Sequence, residues 1–129
     1  MSDTIHQEVM VPASPAEVYD ALTKAKTFCA FTGGAPAEID ARAGGAISLF
    51  GGRVTGLNVE LEPNVRVVQA WRAGNWGPGE HSLVRFELKP EGAGTLIMFD
   101  QSGHPPSAAD HLASGWEQMY WAPMRAHFG

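Results

Sequence analysis

Residues 107–120 read SAADHLASGWEQMY, and this stretch near the end of the chain decides the fold class. Apolar side chains recur in it at i, i+4, i+7 and i+8, the spacing of one face of an α-helix: Leu112, Trp116, Met119 and Tyr120. Ser107 and Asp110 stand at the two positions of a capping box, which predicts a helix start. Pro123 is predicted to end or kink the helix, because proline has no N–H to donate. An apolar helix face must be covered by a second layer, which the preceding residues have to supply.

The region before this helix predicts short strands joined by tight turns. Glycine pairs at 44–45 and 51–52 mark two of the turns. Predicted strands cover residues 4–11, 38–42, 46–50, 53–62, 65–72, 81–89 and 95–101. Within residues 53–62, Leu57, Val59 and Leu61 alternate with polar residues, which predicts one apolar face. Consecutive strands with short connections pair antiparallel, because parallel pairing needs a crossover of about a dozen residues.

Two short helices are predicted directly after the first strand. Ser14-Pro15-Ala16-Glu17 forms a capping box with proline at the first helical position, and Val18 and Leu22 follow as an apolar pair. A second helix is predicted over residues 24–31, ending before Gly33-Gly34. The sequence therefore predicts an α+β fold in a single domain, 1–129. A curved antiparallel β-sheet wraps around a long C-terminal helix, with the two short helices after the first strand.

Composition excludes several classes of protein. The 129 residues include 9 basic and 14 acidic side chains, a formal charge of −5, so no general attraction to nucleic acid is expected. The hydrophobic share of 44% is too high for a disordered chain, yet no run approaches the ~20 apolar residues of a membrane-spanning helix. Residues 1–8 lack the basic start and apolar core of a secretory signal. Cys29 is the single cysteine, which fits a cytoplasmic protein.

The side chains that carry most enzyme chemistry form no recognisable set. His104 and His111 are the only histidines close in sequence, and no cysteine or carboxylate spacing completes a metal site, so neither a metal nor a cofactor is expected. No motif for a catalytic nucleophile is present, and no catalytic residue is assigned. Asp100 and His104 are the acid–base candidates should the protein be an enzyme, although a surface carboxylate at a strand end is the simpler interpretation of Asp100.

Polar residues fall on the apolar face of three predicted strands. Gln7 lies between Ile5 and Val9, Gln69 between Val67 and Trp71, and Ser82 two residues before Val84. A buried polar group without a partner costs about 1–3 kcal/mol, so each should find a partner. Two interpretations remain open: hydrogen bonds within the protein, or a polar patch in a ligand cavity.

Aromatic residues are the other candidates for a cavity wall. Trp71, Trp116 and Tyr120 suit one, although such a stripe also suits a plain core. Trp76 sits in a glycine- and proline-rich loop over residues 74–79, where it either closes a cavity mouth or folds back onto the sheet. Gly115 within the helix costs about 0.5–1 kcal/mol relative to alanine, which indicates close packing or open space beside Trp116. The predicted ligand-cavity residues are Phe31, Gln69, Trp71, Trp76, Ser82, Trp116 and Tyr120.

The order of elements and several local motifs resemble a known family. The architecture is similar to the helix-grip fold of the START/Bet v 1-like (SRPBCC) superfamily, in the branch related to the C-terminal domain of the activator of heat-shock protein 90 ATPase. The matching segments are residues 13–22 (ASPAEVYDAL), the turn at 44–45, 56–63, 67–71, Trp76, 94–96, 102–103 and 115–116. Phe31 stands where a tryptophan is common in that branch. The resemblance implies a sheet around a long helix, often with a cavity between them.

The resemblance does not select one activity, because the superfamily includes lipid and hormone binders, polyketide cyclases and chaperone activators. We expect a non-catalytic domain that holds a small hydrophobic or amphipathic ligand between the sheet and the C-terminal helix. One alternative is a chaperone-interacting, ATPase-activating module of the stress response. The other is a polyketide cyclase-like enzyme that uses Asp100 or His104. No membrane partner is expected, and a monomer and a homodimer stay equally open.

Overall fold

A seven-stranded antiparallel sheet forms one layer of the molecule. The computed structural model describes residues 4–74, 76, 80–105 and 108–129. The strands are β1 Ile5–Val11, β2 Glu38–Ile39, β3 Ala46–Leu49, β4 Val54–Glu62, β5 Arg66–Ala73, β6 Ser82–Glu91 and β7 Gly94–Ser102. Their order across the sheet is β1-β7-β6-β5-β4-β3-β2, and all neighbouring pairs are antiparallel. The predicted curved sheet with a long C-terminal helix, the helix-grip arrangement, is confirmed.

The two short helices follow β1, as predicted. Helix α1 spans Pro15–Thr23 and α2 spans Ala25–Phe31. The capping box is present: the Glu17 N–H donates to Ser14 Oγ at 3.2 Å, and the Ser14 N–H donates to Glu17 Oε1 at 3.1 Å. The box gives hydrogen-bond acceptors to two backbone N–H groups at the helix start, which have no partner within the helix.

Strand β4 contains a bulge that the alternating sequence pattern does not reveal. Asn58 pairs with Gln69 and Glu60 pairs with Val68, so Val59 is an extra residue without a partner in β5. The bulge changes which residues face inward. Leu57 and Val59 are 41% and 45% exposed, whereas Asn58 is fully buried. The single apolar face predicted for this strand is therefore wrong for Leu57 and Val59.

The C-terminal helix extends over residues 109–128. It consists of α3 (Ala109–Trp116), one π-helical turn (Glu117–Trp121) and α4 (Ala122–Phe128). Ser107 of the predicted capping box lies outside the described residues, and Ala108 precedes α3 without a side-chain cap. Pro123 does not end the helix. In the wider turn, the Ala122 N–H donates to the Glu117 carbonyl five residues back, and the helix continues through the proline.

The helices cover the inner face of the sheet. Val67, Val84, Phe86, Ile97 and Phe99 on β5 to β7 are fully buried, and the C-terminal helix meets them with Trp116, Trp121 and Met124. The ring centroids of Trp116 and Phe99 are 4.4 Å apart. Each such side chain contributes about 1.5–3 kcal/mol when it leaves water. Trp116 and Trp121 both contact Phe86 of β6 and Phe99 of β7.

Candidate functional site

A cavity of about 890 Å³ lies between the sheet and the C-terminal helix. Its walls come from β4, β5, the turn between β3 and β4, the segment before β2, the loop after β5 and the helix. The lining residues are Ala35, Pro36, Phe50, Gly51, Arg53, Val54, Trp71, Ala73, Gly74, Trp76, His111, Leu112, Gly115, Trp116, Gln118, Met119 and Tyr120. Val54, Trp71 and Ala73 supply the part of the wall that belongs to the sheet.

Four of the predicted cavity residues form a continuous wall, which we call the aromatic row: Trp76, Trp71, Trp116 and Tyr120. Their ring centroids are separated by 5.8 Å between Trp76 and Trp71, 5.3 Å between Trp71 and Trp116, and 4.4 Å between Trp116 and Tyr120. Edge and tilted contacts at these distances are the favoured arrangement of aromatic pairs. The row gives the cavity one rigid apolar side.

The other three predicted cavity residues lie away from the described wall. Phe31 packs behind the row, 6.1 Å from the Tyr120 ring. Gln69 faces inward, but its Nε2 donates to Asn58 Oδ1 at 3.2 Å. The Ser82 hydroxyl donates to the Trp71 carbonyl at 2.9 Å. Gln69 and Ser82 therefore hydrogen-bond within the protein, and Phe31, Gln69 and Ser82 are not among the residues that line this cavity.

Ser82 supports the wall indirectly through a chain of buried hydrogen bonds. Trp116 Nε1 donates to Gln101 Oε1 at 2.8 Å, and Gln101 Nε2 donates to Ser82 Oγ at 2.9 Å. The Ser82 hydroxyl then bonds the backbone of Trp71. Gln101 and Ser82 are almost fully buried, so these bonds are not exchanged with solvent. The chain fixes the indole of Trp116 relative to β5, the strand that carries Trp71.

Gln7 is the third inward-facing polar residue and holds the opposite side of the helix. Its Nε2 donates to the Ala113 carbonyl at 3.0 Å, and its Oε1 accepts from Trp121 Nε1 at 2.7 Å. Both ends of the amide are therefore used to dock the C-terminal helix on β1.

Trp76 folds back over the cavity instead of pointing into solvent. It is 9% exposed and packs edge-on against Trp71. Arg72 holds this loop: its guanidinium donates to the Trp76 carbonyl at 2.7 Å and to the Glu80 carbonyl at 2.9 Å. The two bonds join the first and last parts of the loop to β5. Trp76 therefore packs on Trp71 of the sheet and lines the cavity.

Gly115 faces open space in the cavity wall. A Cβ atom built at this position meets nothing within 4 Å. Close packing therefore does not explain why glycine stands inside the C-terminal helix, where it weakens the helix by up to about 1 kcal/mol relative to alanine. Of the two interpretations from the sequence, the structure supports the space beside Trp116.

The rim of the cavity is polar and carries positive charge. Arg53, His111 and Gln118 are exposed lining residues. Within the described part of the wall there is no aspartate or glutamate. Arg53 makes no ion pair with any described residue, whereas Arg42 and Arg66 are each paired with carboxylates. The apolar interior and the cationic rim suit an amphipathic molecule better than a purely polar one.

Tyr120, at the inner end of the aromatic row, carries a phenol group that is uncharged. Complete burial raises the pKa of this phenol far above its ordinary value near 10, and the neighbouring Trp71 N–H counteracts the rise only in part. Trp71 Nε1 itself makes no hydrogen bond of good geometry to a described residue. Tyr120 therefore stays protonated and contributes an apolar ring rather than a charge.

The acid–base candidates from the sequence do not face the cavity. Asp100 is on the outer side of the sheet, where its carboxylate lies 2.7 Å from His6 Nδ1. His104 is 7% exposed and is absent from the cavity wall, and neither of its ring nitrogens has a hydrogen-bond partner among the described residues. Among the described residues, no three histidine, cysteine, aspartate or glutamate side chains lie together in a group that could hold a metal ion. None of the helices described is long and apolar enough to cross a membrane.

Sequence reasoning missed the residues that position the wall. Gln101 shares its parity with Ile97 and Phe99 on β7, so the alternation did contain the signal that it faces inward. Arg53 and Arg72 carried no such signal, because their roles depend on a turn and a loop folding towards the helix.

Solved structures with the same fold have low sequence identity to this chain. An HSP90 activator from Plasmodium falciparum superimposes with a TM-score of 0.89 at 21% identity, covering 95% of this chain and 94% of its own. CalU16 from Micromonospora echinospora gives 0.83 at 22% identity, with 99% and 77% coverage. The Aha1 dimer from Colwellia psychrerythraea gives 0.78 at 22%, with 95% and 94%. These likenesses establish the fold alone.

Two similar proteins are named as activators of the 90 kDa heat shock protein ATPase. The activator of 90 kDa heat shock protein ATPase homolog from Dictyostelium discoideum is 31% identical over 81% of this chain and 27% of its own length. The human homolog 1 is 28% identical over 90% of this chain and 34% of its own length. The chain thus spans about a third or less of these relatives. The family model for "Activator of Hsp90 ATPase homolog 1-like protein" matches residues 12–129. The chain therefore belongs to the activator of Hsp90 ATPase homolog 1-like family, within the SRPBCC superfamily.

Proposed function

We propose that this protein binds a small hydrophobic or amphipathic molecule in the cavity between the sheet and the C-terminal helix. The observation that carries the proposal is the aromatic row, which lines a space of about 890 Å³. Ligand sites in proteins typically have volumes of about 300–1,000 Å³ and apolar, aromatic walls with a few polar groups.

The construction of the wall also supports a site that is formed before the ligand arrives. Buried hydrogen bonds fix Trp116, and two bonds from Arg72 hold the loop that carries Trp76. A ligand would therefore find the aromatic row in place, which lowers the entropic cost of binding.

A thermal-shift screen with tryptophan fluorescence tests this function. A true ligand at 100 times its dissociation constant should add about 2.7 kcal/mol of stability and change the tryptophan emission. Gly115→Leu is the control variant, because its side chain would extend into the open space beside Trp116 and occupy the site. Ligands that stabilise the wild type but not Gly115→Leu support the proposal. A broad panel of apolar and amphipathic compounds without effect on the wild type would overturn it.

Family membership favours a second candidate function, contact with an Hsp90-type chaperone. The relatives named as activators of the Hsp90 ATPase cover most of this chain, although the chain covers only about a third of them. A chaperone-contacting module would act on a macromolecular surface rather than through the cavity. The cytoplasmic location expected from the sequence is compatible with such a partner.

Co-purification with the chaperone of the same cell, followed by an ATPase assay, tests the second candidate. Binding with a raised ATPase rate in both the wild type and Gly115→Leu supports a surface contact. No binding and no change in rate contradicts it. Sedimentation of the protein alone distinguishes a monomer from a homodimer, a question that the dimeric relative from Colwellia psychrerythraea raises.

The third hypothesis, a cyclase-like enzyme, has less support. Its acid–base candidates, Asp100 and His104, lie outside the described wall of the cavity. Catalysis in the cavity would need a group within hydrogen-bonding reach of the substrate.

A further inference from the structure

We propose that the ligand of the cavity is an anionic amphiphile, with an apolar or aromatic body against the aromatic row and a carboxylate, sulfonate or similar group at Arg53. This inference rests on the proposed function, because it names the chemical class of the molecule that the cavity holds.

The first argument is the distribution of charge. The chain has five more acidic than basic residues, yet the described wall contains Arg53 and His111 and no carboxylate. A wall drawn at random from an acidic protein would be expected to contain carboxylates. Their absence beside a guanidinium leaves positive potential at the mouth, which favours an anion over a neutral or cationic molecule.

The second argument is the state of the Arg53 side chain. It has no ion pair with a described residue, whereas Arg66 contacts Glu60 and Glu87 at 2.8 and 3.0 Å. A planar guanidinium presents paired N–H donors that match a carboxylate or sulfonate. At Arg53 these donors are not used within the described chain, and they lie at the edge of an apolar space.

The third argument is the turn that places Arg53. The φ angles are positive at three successive residues, Phe50 (53°), Gly51 (68°) and Gly52 (91°). A side chain rarely adopts this conformation, so its occurrence at Phe50 is strained. The strained turn puts the Phe50 ring 5.9 Å from the ring of Tyr120 and the next side chain, Arg53, at the rim.

Backbone hydrogen bonds hold this turn in place. The Gly51 N–H donates to the Pro36 carbonyl at 2.9 Å, and the Gly74 N–H donates to the Arg53 carbonyl at 2.7 Å. Both Pro36 and Gly74 are themselves lining residues. The position of Arg53 is therefore tied to two other parts of the wall, and the cation belongs to the built site rather than to a loose surface loop.

A matched pair of fluorescent probes tests the inference. 1-Anilinonaphthalene-8-sulfonate carries a sulfonate, and N-phenyl-1-naphthylamine has the same ring system without charge. We expect the sulfonate probe to bind the wild type more tightly than the neutral probe. Arg53→Gln should weaken the binding of the sulfonate probe about two- to fivefold, which is the usual effect of losing an exposed ion pair. The neutral probe should bind Arg53→Gln as it binds the wild type. Raising the salt concentration should weaken only the binding of the sulfonate probe.

Lys89→Gln is the control for net charge, because it removes one positive charge far from the cavity. Lys89 lies seven residues beyond Ser82 along β6, roughly 23 Å away. The Lys89→Gln variant should bind both probes with the affinities of the wild type.

The outcomes separate the two proposals. Loss of the preference for the sulfonate probe in Arg53→Gln but not in Lys89→Gln supports an anionic ligand. Equal affinities of the two probes for the wild type, or a preference that survives Arg53→Gln, overturns the anionic class and leaves the binding function standing. Failure of both probes to bind, or undiminished binding of both to folded Gly115→Leu, overturns the cavity as a binding site and the inference with it.

Discussion

The indole nitrogen of Trp116 donates to Gln101 Oε1 at 2.8 Å, and this contact joins the C-terminal helix to the last strand of the sheet. Gln101 continues the connection through Ser82 to the backbone of Trp71. Two residues of the aromatic row, on different layers of the fold, are thus held by one buried chain of hydrogen bonds. Ser82, which the sequence placed in the cavity wall, holds wall residues in position through these bonds.

Gln101→Leu should destabilise the protein by about 1–3 kcal/mol. The variant leaves the buried Trp116 N–H without an acceptor and removes the donor to Ser82 Oγ, and a buried polar group without a partner costs this much. Urea denaturation followed by circular dichroism measures the effect. Gln118→Leu, at an exposed position on the C-terminal helix, should change the stability by less than about 0.5 kcal/mol. Equal stability of the two variants would show that the chain of hydrogen bonds is dispensable.

Most of the fold could be predicted from local sequence. The capping box at Ser14 and Glu17, the glycine turns and the alternation in β6 and β7 each depend on neighbouring residues only, so they identified the elements. The stripe from Leu112 to Tyr120 then identified the helix that had to cover the sheet. Antiparallel order followed because the connections are too short for crossovers.

Long-range features could not be predicted in the same way. The bulge at Val59 becomes visible only when β4 is paired with β5, since residues 57–62 alternate between apolar and polar without interruption. The helix passes Pro123 because a π-helical turn forms before it, and no local motif announces such a turn. Arg53 and Arg72 reach the cavity through a turn and a loop, so their positions depend on tertiary structure.

Arg72→Met should release Trp76 from the cavity. The substitution keeps an aliphatic side chain but removes the two bonds to the Trp76 and Glu80 carbonyls. We expect a stability loss of about 1–2 kcal/mol, because the bonds come from a charged donor but lie near the surface. Acrylamide quenching, compared with and without Trp76→Phe in each background, measures how far Trp76 becomes accessible.

Arg85→Met is the matched control for Arg72→Met. Arg85 pairs with Glu87 on β6 and does not line the cavity. The Arg85→Met variant should show the same acrylamide quenching of Trp76 as the wild type. If Trp76 stays protected in Arg72→Met as well, packing on Trp71 alone holds the loop.

His6 should titrate above the ordinary pKa of histidine, near 6.5. Hydrogen bonds to Glu8 and then to Asp100 favour the imidazolium and raise the pKa of His6. Proton NMR of the ring hydrogens measures the value directly. Glu8→Gln and Asp100→Asn should each lower the pKa of His6. A pKa at or below 6.5 in the wild type would contradict the pairing.

The same pair gives stability a pH dependence of known sign. A histidine whose pKa is raised in the folded state stabilises the protein below the pKa of the unfolded chain, and this contribution is lost as the pH rises through the folded value. The wild type should therefore gain stability relative to His6→Gln when the pH falls from about 8.5 to about 5.5. Because His6 is exposed, the change should be small, and unfolding curves of both proteins at the two pH values would detect it.

Gly115→Ala should stabilise the protein by about 0.5–1 kcal/mol. The new methyl group meets no atom within 4 Å, and alanine is a better helix former than glycine. Gly56→Ala provides the contrast, because its Cβ would lie 1.8 Å from the Ala70 carbonyl oxygen of the neighbouring strand and must push β4 and β5 apart. Urea denaturation should show a higher midpoint for Gly115→Ala and a much lower one for Gly56→Ala. A loss of stability in Gly115→Ala would mean that the space beside Trp116 is not open, and the cavity on which the binding proposal depends would be smaller than the structure indicates.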